Sequence, residues 1–362
     1  MMISKTVIGD SIYRYKKALV IPFDGKRNVL STSIWNGGYR EDLKWVINKD
    51  ANPGAGMACT LRTSSYAGDL KLTIEELGLE PEYATAISTA ASMDNVSIKT
   101  EKYKEYEVCA VVTGGIEVNG GRVGDFSSWD EIESKNKDLK QGTINIILIV
   151  NAKLPPGAMT RALVTCTEAK TAALQELIAS SKYSNGIATG SGTDSTIIVG
   201  NLESHIELTY AGKHSKLGEL IGRVVKDAVK EALFKQTRLS PSYQHNFIRR
   251  VERFGISIDS IYEKYEEINS ELIKYDFYDV IEKISKEDML VTLTSLYVHL
   301  LDQFNWGLIS ETEAITAGKI LLEKISNTNN EKIQCDKGDV VNTMVTEYVD
   351  VICNIISKEV RK

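Results

Sequence analysis

The sequence predicts an α+β protein: a mixed β-sheet domain over residues 1–240 with two long helices packed on it, followed by an all-helical region over residues 241–362. Three features carry that prediction. Strand-type runs are neighbours in sequence, Val96–Thr100 beside Glu107–Thr113, as an antiparallel pair requires. Two long helical stretches, Ala158–Ser180 and Lys216–Gln236, stand among the strands without alternating with each of them. Beyond Arg238 glycine nearly disappears, and Ile, Leu, Tyr and Val recur among charged residues at helical spacing. The join falls near Ser240-Pro241.

The first forty residues read as β structure. Ala18–Phe23 and Asn28–Ser33 are strand-type runs divided by the turn signal Asp24-Gly25. Trp35-Asn36-Gly37-Gly38-Tyr39 makes a second tight turn, and Gly54 and Gly56, beside Pro53, punctuate the next loop. Ile74–Leu77 is a short helical turn stopped by Gly78 and Pro81. Ala84–Met93 is a strand whose following loop begins at Ser92. The run EVCAVVT (107–113) is almost wholly apolar, which predicts burial on both faces, and it runs into the glycine-rich loop GGIEVNGGRVGD. Thr143–Val150 (TINIILIV) is a further apolar strand with Asn145 as its one polar interior member.

On a helical wheel of 158–180, Met159, Ala162, Leu163, Cys166, Ala169, Ala173 and Leu177 form one stripe of mostly small side chains, suited to lying against a sheet. Lys170 falls within about 40° of the stripe's centre, whereas Glu168 is on the opposite face. Lys170 either runs its stem out along the apolar surface or has a paired or functional role. Thr196–Val199 is the next strand and 216–236 the second long helix. The C-terminal region divides into helices over Glu267–Ile284, Lys286–Phe304, Ser310–Ile325 and Asp339–Ile356.

Composition narrows the function. A hydrophobic content of 43% and a charged content of 25% suit a globular chain with a sizeable core. The net charge of −6 leaves no cationic surplus for phosphates, which argues against a general nucleic-acid binder. No apolar run approaches the roughly 20 residues of a membrane span, and no apolar h-region with a cleavage site opens the chain, so a cytoplasmic location with no membrane partner is expected. The five cysteines (Cys59, Cys109, Cys166, Cys335, Cys353) are odd in number and form no CxxC pair; the four histidines are dispersed without an HExxH. No disulfide framework and no metal site is predicted.

The stretch from Ser184 to Gly222 gathers the polar chemistry. Gly186, Gly190 and Gly192 alternate with Ser, Thr and Asp194 before a β-branched run, a composition that lets backbone approach a ligand and that also makes an ordinary turn. Lys213, His214 and Ser215 stand at the entrance of the second long helix. The stretch lacks the GK[ST] ending of a Walker loop.

Six segments taken together resemble the adenosylcobinamide amidohydrolases of corrinoid salvage. They are NVLSTSIWNGG (28–38), AISTAASM (86–93), VTGGIEVNGGRVGD (112–125), QGTINIILIVNAKLPPGAMTRALVTCTEAKTAAL (141–174), GIATGSGTDSTIIV (186–199) and YAGKHSKLGELIG (210–222). The resemblance runs from about Val7 to Leu233 and leaves the helical C-terminal region outside it. Gly114-Gly115 and Ser191 stand where the family resembled has Ala-Gly and Thr. The resemblance implies hydrolysis of the amide that joins aminopropanol to a corrin propionate, giving adenosylcobyric acid and 1-amino-2-propanol. The corrinoid is then the substrate, and no cofactor is expected.

Amide hydrolysis needs a nucleophile or activated water, donors for the developing oxyanion and an acid for the departing amine. Among the resembling segments, Asp194 or Glu168 is a candidate base, His214 an acid–base shuttle and Thr193 a nucleophile. Asn36, Gly37, Gly38, Lys170, Gly190, Gly192 and Lys213 are candidate substrate contacts, with Asn36 and the amides of Gly190 to Gly192 placed to polarise the carbonyl. Asp194 and Thr193 equally suit bonds within their own turn, and His214 suits a role in holding the 210–216 turn. Cys166, on the apolar helix face, is a poorer nucleophile. A non-catalytic corrinoid-binding protein is the competing function. Homo-oligomerisation is compatible with the sequence.

Overall fold

The computed structural model describes residues 1–54, 60–127, 129–130, 132, 135–136, 142–268, 273–327 and 339–360. Gly56, Cys59, Gln141 and Cys335 lie outside these described residues. The chain divides into two compact units, Met1–Ser240 and Pro241–Lys362.

In chain order the first unit contains β1 (Met2–Lys5), β2 (Ser11–Tyr15), β3 (Ala18–Pro22), β4 (Arg27–Ser31), β5 (Gly38–Arg40), β6 (Trp45–Asp50), α1 (Tyr66–Glu76), β7 (Ala84–Thr89), β8 (Ser97–Tyr103), β9 (Tyr106–Gly115), β10 (Gly120–Gly121), β11 (Trp129–Asp130), β12 (Lys135–Asn136), β13 (Thr143–Val150), α2 (Pro156–Glu176), β14 (Gly190–Ser191), β15 (Ser195–Asn201) and α3 (Lys216–Thr237). Two mixed sheets result. One has the order β1-β2-β3-β6-β7 and the other β5-β4-β15-β13-β9-β8. Each has a single parallel pair, β6 with β7 and β13 with β15.

The sheets pack face to face. Ile12, Leu19, Ile21, Val46 and Ile87 of the first meet Val29, Val111, Ile147, Ile149, Ile197 and Val199 of the second in one core. Leu70 and Ile74 of α1 cover the outer face of the first sheet. Helices α2 and α3 pack on the second sheet and on each other, with Leu233 against Gly114 of β9. The order of layers is therefore helix, sheet, sheet, helices, and β13 is buried along its whole length because it has a hydrophobic layer on both sides. A buried ion pair pins the two sheets: Arg27 of β4 donates from Nε and Nη2 to the Asp10 carboxylate, both at 3.0 Å.

The expected α+β class holds, with both long helices on a mixed sheet. Several boundaries differ. The strand β6 (WVINKD) was not expected, because Asn48, Lys49 and Asp50 break its apolar pattern; Asn48 is nonetheless buried, since it bonds across to the other sheet. The turn expected at Ile74–Leu77 is the end of the eleven-residue helix α1, which begins where the Ser65 side chain accepts from Gly68 N. Helix α2 ends at Glu176 rather than Ser180, and Ile178 follows with φ +48°.

In the second unit, α4 (Pro241–Gln244), α5 (Phe247–Val251), α6 (Ile258–Ile268), α7 (Lys274–Ile284), α8 (Asp288–Asn305), α9 (Glu311–Ser326) and α10 (Val340–Val360) enclose a separate core. Of the helix expected over Glu267–Ile284, α7 covers Lys274–Ile284, and residues 269–272 lie outside the described residues; α6, over Ile258–Ile268, was not expected. Arg253 and Asp302 form a buried two-bond ion pair at 2.6 Å, and the Tyr297 and Tyr348 rings stack at 5.6 Å. A capping box between Ser310 and Glu313 starts α9.

Candidate active site

Because β13 and β15 are parallel, both begin at the same edge of their sheet, where β9 ends. Thr143 pairs with Gly115 there, and Asn145 with Ser195. The loop Gly190–Asp194 closes over this edge, and its first two residues pair with Gly120-Gly121 as a two-residue ladder.

Asp194 is the hub. Its Oδ1 accepts from Ile144 N at 2.8 Å and from Ser191 Oγ at 2.7 Å. Its Oδ2 accepts from Ser191 N at 2.9 Å and from the Lys170 ammonium. The two charged side chains are only 12% and 11% exposed, so they are paired in a largely water-excluded place. Lys170 thus leaves the apolar stripe of α2 to meet Asp194 instead of extending into solvent. Gly190 is required by this approach: a Cβ there would lie 2.3 Å from Asp194 Oδ2 and 2.7 Å from Lys170 Nζ. The Thr143 and Thr193 hydroxyls are 2.5 Å apart and lie 2.7 and 3.0 Å from the Gly142 carbonyl. Thr193 has no carboxylate among these partners. Gly192 and Thr193 are exposed, and Ser191 is partly so.

Beneath this cluster a polar network crosses between the sheets. Asn145 Nδ2 donates to Asn48 Oδ1 at 2.8 Å and to the Ser88 carbonyl at 3.1 Å, and Asn48 Nδ2 donates to Thr113 Oγ1 at 2.8 Å. Asn145 is fully buried.

The other predicted residues fall into two separate groups. Lys213 Nζ donates to Glu168 Oε1 at 2.9 Å on the surface, where both side chains are about half exposed (57% and 42%). His214 is exposed beside Lys213 in the turn before Ser215, whose side chain caps α3 by accepting from Gly218 N at 3.0 Å. Among the described residues no hydrogen bond or ion pair joins Glu168, Lys213 or His214 to the Lys170–Asp194 cluster. Asn36, Gly37 and Gly38 form the third group. Asn36 has φ +51° and its amide donates to the carbonyls of Pro81, Glu82 and Ala84, while Arg40 donates to its oxygen. A Cβ at Gly37 would sit 1.9 Å from the Ser33 carbonyl oxygen, and Gly38 has φ +78°, so this segment is a tight turn fastened to the chain before β7.

Burial raises the thiols of Cys166 and Cys109 above their ordinary range, which makes both poor nucleophiles. Among the described residues no group of three or more His, Cys, Asp or Glu could hold a metal ion, and no helix is long and apolar enough to cross a membrane.

Sequence reasoning gave no role to the side chains of Ser191, Thr143, Asn48 or Ser88. Ser191 carried one signal: it lies three residues before Asp194, within reach of a carboxylate that folds back on its own turn. Asn48 carried none, because its partner Asn145 is 97 residues away.

A family profile described as adenosylcobinamide amidohydrolase matches residues 3–241. An uncharacterized protein of Methanocaldococcus jannaschii is 37% identical over 248 residues, 66% of this chain and 93% of that relative. An adenosylcobinamide amidohydrolase of Methanosarcina mazei is 26% identical over 217 residues, 58% of this chain and 91% of the relative. A crystal structure of a Pyrococcus horikoshii protein aligns over 62% of this chain and 78% of its own at 13% identity, with a TM-score of 0.32.

Proposed function

The chain belongs to the adenosylcobinamide amidohydrolase family, and from that premise we propose that it hydrolyses adenosylcobinamide at the amide between aminopropanol and a corrin propionate, releasing adenosylcobyric acid and 1-amino-2-propanol. The observation that supports this most is that the family match spans the first unit, in which the loop Gly190–Asp194 folds over the Lys170 ammonium at one edge of the sheet. A buried ammonium–carboxylate pair with hydroxyls beside it suits amide cleavage. The ammonium can supply the proton that the departing amine needs, and its charge favours the developing oxyanion. In this reading Lys170 and Asp194 are the catalytic pair, Gly190 allows their approach, and Asn36, Gly37 and Gly38 shape a turn. Lys213, Glu168 and His214 lie on a separate surface, where they can touch the outer part of a large substrate. The corrinoid is substrate, so its cobalt is not a protein-held metal.

The test is to incubate the purified chain with adenosylcobinamide and separate products by chromatography with mass detection. Adenosylcobyric acid and aminopropanol in equal amounts are expected. Tight corrinoid binding with no product would make the protein a carrier, and neither binding nor product would overturn the reading.

A further inference from the structure

We propose that Ser191 is the nucleophile of this site, acting through a covalent acyl-enzyme; the inference rests on the hydrolase reading above. Of the hydroxyls of Ser191, Thr143 and Thr193, that of Ser191 is bonded to a carboxylate. Ser191 Oγ donates to Asp194 Oδ1 at 2.7 Å, whereas Thr143 and Thr193 bond each other and the Gly142 carbonyl. A nucleophilic hydroxyl needs a base within hydrogen-bond reach and a third group that orients the base. Asp194 meets the first need, and the Lys170 ammonium with Ile144 N meets the second. Ser191 also accepts from Thr193 N at 3.3 Å, which turns its hydroxyl proton toward Asp194 and leaves a lone pair for attack. The position is partly exposed, and Gly192, which follows it, has open space where a Cβ would stand.

The step balances without any further reagent. Ser191 Oγ forms a bond to the amide carbon as its proton passes to Asp194. The C–N bond breaks as Lys170 protonates the departing amine, and the proton on Asp194 crosses to Lys170. The corrin propionate is then an ester of Ser191. Water attacks that ester and gives up a proton to Asp194; the C–O bond to Ser191 breaks, and the serine oxygen is reprotonated from the pair. The net change is amide plus water to acid plus amine.

The experiment compares the full wild-type chain with Ser191→Ala and Ser191→Thr in the presence of adenosylcobinamide, with and without hydroxylamine. Wild type is expected to yield some corrin hydroxamate when hydroxylamine is present, and acid-quenched protein to carry a corrinoid acyl adduct on the peptide containing residue 191. Ser191→Ala should lose at least about a thousandfold in turnover and all adduct, with corrinoid affinity within about twofold by absorbance titration. Ser191→Thr keeps a hydroxyl and should retain adduct formation. A merely structural serine would leave wild type without adduct or hydroxamate. Acid formation with neither, or Ser191→Ala turning over at more than a tenth of the wild-type rate, overturns the Ser191 step alone. If wild type forms no acid and no amine, the hydrolase reading falls and takes this step with it.

Discussion

At the residue scale, two of the lysines that pair with carboxylates, Lys170 and Lys213, differ in environment. Lys170 and Asp194 are about nine-tenths buried, while Lys213 and Glu168 are roughly half exposed. Removing one partner of a buried pair leaves a charge with neither water nor counter-ion, which costs about 3 kcal/mol or more. An exposed pair contributes well under about 1 kcal/mol, because solvent already screens both charges. Lys170→Met is therefore expected to lower the urea midpoint by an amount equivalent to about 3 kcal/mol, and Lys213→Met by less than about 0.5 kcal/mol. Turnover should follow the same order, with Lys170→Met close to inactive and Lys213→Met within a few-fold of wild type. Equal losses of stability in the two variants would show that the Lys170–Asp194 pair is hydrated in solution.

At the scale of elements, α3 shows how far local sequence reaches. Its start at Lys216 was legible because Ser215 is an N-cap residue before an apolar periodic run, and its side chain does cap Gly218 N. Ser215→Ala should cost about 1 kcal/mol of stability of the first unit, read by urea denaturation. It should also loosen the His214 turn, since the Ser215 hydroxyl bonds the Gly212 carbonyl at 2.8 Å. Strand β13 was legible for a similar reason: seven of its eight residues are β-branched or aliphatic, which suits a strand with cover on both faces. β6 was not legible, because its buried Asn48 reads as a loop residue until its cross-sheet partner is known. The start of α7 at Lys274 was hidden because Ile268, Leu272 and Ile273 keep helical spacing with it in the sequence. The site follows the same rule. The Gly190–Asp194 loop was visible as a motif, but the choice of Lys170 as its ion partner depends on α2 crossing the sheet at one particular place, and no local pattern encodes that.

At the scale of the molecule, the two units carry separate cores and separate buried ion pairs, Arg27–Asp10 in the first and Arg253–Asp302 in the second. The second unit also carries an acid that titrates near neutral pH. Burial pushes the Glu347 carboxyl up to about 7; nearby Asp350 adds to the effect and Lys319 opposes it. An acid whose folded pKa is raised binds more protons folded than unfolded between the two values, so its contribution to stability is greatest below the ordinary glutamate range and is lost as pH rises through about 7. Glu347→Gln removes the ionised form altogether. The variant should melt with the wild type at pH 4 and above it at pH 8, with the gap opening between these limits, as followed by calorimetry of the full chain. Lys319 limits the size of that gap, because its ammonium opposes the rise. In Lys319→Met the wild-type carboxyl should stay protonated to higher pH, and the additional substitution Glu347→Gln should then gain more at pH 8 than it does alone. A gap of the same size at pH 4 and pH 8 would trace the effect of Glu347→Gln to packing and not to charge.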